Sequence, residues 1–448
     1  MITNLDDIKH HIRTDMSLRI HHLISALFGA TMACFALNLI PFMYQWLDLS
    51  LTIPTMFLVC VVGFFLIREG VNFPNLSLQL WLIFSFFFLI VALPLAFLYG
   101  ETHSSVEIPY LMRSTFYNMI VTFVSYRFVL FMAKRDSLGG FLNWLLVFNA
   151  LGSLMTLFAL PLGFYKTTYA HPLAFQSIER MAGLYINPNV AGFQANVTFI
   201  LGLSTLFRAK SPKILGALGI AAGLGGMVAS FSKTAILTAI IILFVTVLIY
   251  FFSYSKIEKQ TRRATNIFLF LLFYGLFQAI VYIQSASDSL TPDQRSRVTQ
   301  IERIVTGNAD KESTSNRANL VNIGMTKILQ RPVFGTGFGS FLFLIESAAT
   351  SGEYVGIHNI FLRIWGEGGI FSLLFFAVFW LVLLYQALLI SLPWLRLLTV
   401  GGVIVLLFFG STSHNFLEEN LVGLFVGLLC GFTVVPQNLP DNLSQTTP

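Results

Sequence analysis

The chain has 448 residues and a formal net charge of +6, with 56% hydrophobic residues and only 11% charged ones; an ordinary soluble domain carries about 25% charged residues. That shortage of polar surface excludes a soluble globule. The positive balance does not point to nucleic acid either, because no basic run is long or interleaved with aromatic residues.

A spanning helix needs roughly 20 mainly apolar residues. Such runs are read at 20–44, 50–67, 78–99, 114–133, 139–162, 190–207, 213–230, 234–253, 266–284, 360–390, 395–411 and 417–435. They predict an all-α polytopic membrane protein of about 12 transmembrane helices. The first twenty residues are polar and mixed in charge, and no small-residue cleavage site follows the first apolar run, so that helix is expected to be retained. Between 213 and 234, Gly216, Gly219, Gly223, Gly225 and Gly226 point to close helix packing, or to a merged or re-entrant segment. Cys34, Cys60 and Cys430 lie inside apolar runs and offer neither metal-ligand spacing nor an extracytoplasmic disulfide.

Lysine and arginine in short loops resist translocation and so fix orientation. With the N-terminus inside, the inner loops hold most of the cations, from Lys9 and Arg19 through Lys134, Arg135, Arg208, Lys213 and Arg262 to Arg396. The short outer loops hold Arg113, Lys166, Arg180 and Lys233. The expected organisation is an N-terminal transmembrane region over 1–284 with about nine helices, a large extracytoplasmic loop over 285–357, a C-terminal transmembrane region over 358–436 with about three helices, and a cytoplasmic tail over 437–448. Within the loop, Ser313 to Asn316 offers an N-cap, and Leu320, Ile323, Ile328 and Leu329 fit one side of a short helix that Arg331-Pro332 stops. Gly335 to Gly339 follow as a turn; their spacing lacks the strand of a dinucleotide-binding unit and reads as a loop hinge.

This topology brings four patches to the outer face. His358, in Gly356-Ile357-His358-Asn359 at the head of a helix, has an imidazole able to exchange a proton near neutral pH; a histidine that merely bonds a helix end is the plain alternative. Arg317, in the first turn of the loop helix, has the planar fork that suits phosphate or pyrophosphate oxygens; a solvated charge or a salt bridge to Glu302, Asp310 or Glu312 is the alternative. Lys233, in Phe231-Ser232-Lys233-Thr234, is a cation wedged between two apolar runs, where it either serves a ligand or snorkels to the interface. Arg180 precedes Asn187-Pro188-Asn189, in which Pro188 ends the preceding structure and Asn189 is read as a helix cap. Arg127, within an apolar run, needs a partner or a watery pocket. His414, Glu418 and Glu419, on the last outer loop, either line the same vestibule or form a solvated turn; they lack metal-ligand spacing, and the solvated turn is the favoured reading.

Taken together, Ser315-Asn316-Arg317, then Arg331-Pro332 through Gly335-Thr336-Gly337-Phe338-Gly339, then His358-Asn359-Ile360-Phe361-Leu362 and Glu367-Gly368-Gly369 resemble the O-antigen ligase and polymerase superfamily. Arg180 to Gly192 and Ser232 to Ala235 resemble its upstream patches, so the likeness covers about 175–435. It implies an integral-membrane glycosyltransferase of GT-C-like build, located in the bacterial inner membrane, where the lysine and arginine distribution sets both termini on the cytoplasmic side. Its donor would be an undecaprenyl-pyrophosphate-linked glycan and its acceptor lipid A-core or a lipid-linked glycan, with no nucleotide sugar, cofactor or metal. By the same resemblance His358 is catalytic, while Arg317, Lys233, Arg180 and Asn359 bind substrate. Ser232-Lys233 departs from the family's serine-arginine, keeping the charge but losing the bidentate fork. The favoured reading is an O-antigen ligase; the alternatives are a repeat-unit polymerase and, from another class, a non-enzymatic transporter of lipid-linked glycan. Transporters place ionisable groups and broken helices near the bilayer midplane, whereas the charges here gather at one face.

Overall fold

A computed structural model describes residues 22, 25–40, 42–43, 52–68, 75–99, 107–159, 181–185, 187–285, 292–308, 317–341, 345–346, 354–413 and 416–435. The helices, in chain order, are α1 (Ser25–Ala36), α2 (Thr52–Arg68), α3 (Leu76–Tyr99), α4 (Glu107–Ala133), α5 (Leu138–Leu157), α6 (Pro188–Phe207), α7 (Lys213–Ser230), α8 (Lys233–Phe252), α9 (Lys259–Ser285), α10 (Pro292–Val305), α11 (Arg317–Gln330), α12 (Ile360–Leu388), α13 (Pro393–Gly410) and α14 (Asn420–Phe432). Among the described residues, eight helices are long and apolar enough to cross a membrane, and three shorter apolar helices accompany them. Two-residue strands, β1 (Ile345–Glu346) and β2 (Tyr354–Val355), pair antiparallel, a small hairpin in a loop where only helices were anticipated.

α6 is the central post: 100% of its spanning window is buried, against 33% for α3. Its neighbour α7 approaches closely because glycines line the seam. A Cβ at Gly223 would sit 2.8 Å from the Ala195 carbonyl oxygen, and one at Gly202 2.8 Å from that of Gly216. α7 and α8 are separate helices and not one merged segment, because Phe231 turns the chain in the left-handed region (φ 44°) and the Ser232 hydroxyl accepts from Ala235 N to start α8.

A second glycine stripe fastens α14 to α4. Gly423, Gly427 and Gly431, four residues apart and hence on one helix face, would each drive a Cβ into α4. The clashes would be 1.6 Å from Asn118 Oδ1, 2.2 Å from the Thr122 carbonyl oxygen and 2.7 Å from Val129 Cβ. Without a hydrophobic driving force between helices in lipid, such close backbone approach is what holds them together.

Helix ends alternate between the two faces of the bundle. At one face Arg208, just past α6, donates from Nη1 to the Gly139 carbonyl oxygen (3.1 Å) and from Nη2 to Asn143 Oδ1. Lys213 Nζ donates to the carbonyl oxygens of Leu206 (2.7 Å) and Arg208 (2.6 Å). Burial holds the Arg208 guanidinium below its ordinary pKa. Arg127 belongs to the same face: it lies six residues, about 9 Å of helix, from the end of α4, and its Nη2 donates to the Leu66 carbonyl oxygen at 3.0 Å.

Candidate functional site

The opposite face is organised around the head of α12. Asn359 caps it, its Oδ1 accepting from the backbone N–H groups of Phe361 (3.0 Å) and Leu362 (3.1 Å). A cap of this kind satisfies donors that the first helical turn leaves orphaned. His358 stands one residue before the cap and is half-buried. The residue on its other side, Ile357, is fully buried and donates its N–H to the Phe341 carbonyl oxygen at 2.9 Å. Ile357 also packs with Ile328 and Phe341, joined by Met325, Leu362 and Trp365. α11 is thereby seated beneath the α12 head. Of the four apolar residues expected to form its inner side, Ile328 is buried, whereas Ile323 and Leu329 are 37% and 66% exposed.

The glycine-rich turn is no hinge. Gly335, Gly337 and Gly339 all have positive φ (77°, 101° and 84°), a region closed to most side chains, and residues 335–341 are buried. Thr336 N donates to the Gly366 carbonyl oxygen (2.7 Å), Gly337 N to that of Glu367 (3.0 Å) and Phe338 N to that of Ala92 on α3 (2.8 Å). α12 accommodates the turn by a break at Gly369 (φ 76°), where a Cβ would lie 1.9 Å from the Val333 carbonyl oxygen.

Three charges lie behind this turn. Arg363 Nε donates to Glu367 Oε1 (3.2 Å), while Nη1 and Nη2 take both oxygens of Glu418 at 2.9 and 2.7 Å. The Arg363 and Glu367 side chains are 0% exposed and that of Glu418 is 8% exposed. Glu418 is therefore a paired, buried carboxylate and not part of a solvated turn. Its neighbour Glu419 is half-buried, and its carboxyl is pushed up to about 7, first by burial and then by the Glu418 charge. The loop carrying both is held from α4, where Asn118 Nδ2 donates to the carbonyl oxygens of Leu417 (2.8 Å) and Glu419 (3.3 Å). Arg363 escaped the sequence reading, although an arginine four residues before a glutamate in an apolar run is a legible sign of a buried pair.

Lys233 begins α8, and its Nζ donates to Gln300 Oε1 on α10 at 2.9 Å. Arg317 heads α11, the helix that packs against the α12 head; its side chain, together with Arg180 and His414, lies outside the described residues. Asn187, not Asn189, caps α6: its Oδ1 accepts from Asn189 N at 2.8 Å, with Pro188 at the first helical position, which needs no N–H donor. The structure thus gathers His358, Asn359, α11 and the glycine-rich turn, and ties Lys233 to α10. Among the described residues, no group of three or more His, Cys, Asp or Glu side chains is arranged to hold a metal ion.

The succession of long apolar helices makes this a multi-pass membrane protein. Residues 218–377 match the family model described as O-antigen ligase, so this part of the chain, from α7 into α12, carries the likeness to the O-antigen ligase and polymerase superfamily. No curated protein matches the chain.

Proposed function

We propose that the chain transfers a glycan from undecaprenyl pyrophosphate to an acceptor hydroxyl at the outer face of the bacterial inner membrane, as an O-antigen ligase acting on lipid A-core. The observation that carries this reading is the family match over 218–377, a stretch that holds Lys233, Arg317 and His358. In the reaction, an acceptor oxygen attacks the anomeric carbon, the bond to the pyrophosphate oxygen breaks, and His358 takes the hydroxyl proton. Arg317, with Lys233 or Arg180, neutralises the charge that grows on the leaving pyrophosphate. Asn359 fixes the helix that presents His358. Both termini lie on the cytoplasmic side, and 285–357 is the outer loop.

The test is a purified-protein assay with a defined lipid-linked donor and candidate acceptors. The wild type forms a glycosidic bond, and His358→Ala and Arg317→Ala each lose about 10²- to 10³-fold in rate while still inserting. Full transfer by both variants would refute the assignment, and movement of donor without bond formation would make the protein a transporter. A deletion strain separates the two enzymatic readings: unattached long lipid-linked polymer accumulates if a ligase is lost, and a core with one repeat unit if a polymerase is lost.

A further inference from the structure

Arg363 and Glu367 sit in a helix otherwise fit to span a membrane, and Glu418 reaches them from a distant part of the chain. A buried ion pair gains little net stability, because desolvation offsets its attraction; what it imposes is geometry. The bonds around it form a circuit. Ile357 N donates to the Phe341 carbonyl oxygen (2.9 Å), Phe341 N donates to Glu367 Oε1 (3.2 Å), and the same oxygen accepts from Arg363 Nε (3.2 Å). Arg363 N then donates to the carbonyl oxygen of Asn359 (3.0 Å). The circuit leaves the backbone just before His358 and rejoins it just after. On its far side the guanidinium is locked by both Glu418 oxygens, in a loop whose backbone Asn118 holds.

Resting on the transferase reading, we propose that Arg363, Glu367 and Glu418 are positioning residues that hold His358 in place for catalysis and tie it to the loop before α14. None of the three needs to touch the reacting atoms. The guanidinium fork is the part that matters, since only a planar donor set engages one carboxylate through both oxygens while bonding another through Nε. A lysine at 363 keeps the charge and loses that geometry.

The test is a double-mutant cycle on the purified full-length protein, with Arg363→Lys and Glu418→Gln each made with and without His358→Ala. With His358 present, kcat falls about 10- to 100-fold, as expected when a reacting group is misplaced by about 1 Å, and the KM for the lipid-linked donor stays roughly constant. In the His358→Ala background the same substitutions remove little more, because the group they position is gone. An equal fold-loss in both backgrounds reports a merely structural role and overturns the proposal, as does wild-type kcat in both single variants. Should Arg363→Lys fail to insert, Glu418→Gln, which preserves shape, decides alone. A wild type that forms no glycosidic bond with any donor overturns the transferase reading and this proposal with it, whereas an active wild type with unaffected clamp variants overturns the proposal only.

Discussion

At the face rich in lysine and arginine, Arg208 and Lys213 spend their donors on helix-end carbonyl oxygens and one side-chain amide, while at the opposite face Arg363 is matched by two carboxylates. The first arrangement is forgiving, because a cation near a helix C-terminus and close to water loses little when one bond breaks. The second is not, because its three charges are held almost wholly away from water and offset one another. The bundle therefore concentrates its geometric demands at the face where His358 stands.

The sharpest way to break this contrast is Glu367→Ala. It removes one of the two carboxylates that offset a buried guanidinium and should cost about 3–5 kcal/mol, read as loss of membrane-inserted protein or a large fall in Tm in detergent. Gly427→Leu, which drives a side chain into the α4 backbone, should cost about 1–3 kcal/mol or more and loosen the α4–α14 contact, a change measurable by cross-linking between the two helices. Arg208→Met at the other face should cost only about 1 kcal/mol, measured by the same thermal assay. Asn359→Ala removes the α12 cap and should also cost about 1 kcal/mol, with a larger effect on activity than Arg208→Met because it adjoins His358.

The smallest effect is a trend with pH. The Glu419 carboxyl lies above its ordinary value of 4.5 in the folded protein, at about 7, so folding favours the protonated form. Its relative contribution to stability is fullest below about 4.5 and is lost as pH rises through about 7. Glu419→Gln, which cannot ionise, should therefore raise Tm more at pH 8 than at pH 5; an equal change at both would deny the shift.

The helices were legible because runs of apolar residues in a chain this poor in charge have few other uses. The start of α8 was legible to within a residue from the apolar run at 234–253, although its cap at Ser232 was not. What the sequence hid was long-range pairing: nothing near Glu418 signals that a guanidinium 55 residues earlier will claim both its oxygens, so it read as a wet loop residue. The glycine-rich turn was misread for the same reason, since positive φ suits a hinge and a tightly held turn alike, and only the carbonyl groups of Gly366, Glu367 and Ala92 distinguish the two. The α12 cap was present in the letters as Asn359, but its double acceptance from Phe361 and Leu362 needed coordinates.

The break at Gly369 divides α12 into unequal parts. Residues 370–388 extend roughly 28 Å at 1.5 Å per residue, close to the thickness of a hydrocarbon core of about 30 Å. The longer part alone is thus long enough to bridge the oil, which relieves the nine residues ahead of the break of that task. Arg363 and Glu367 both lie among those nine, so one uninterrupted stretch of sequence can serve both as anchor and as platform.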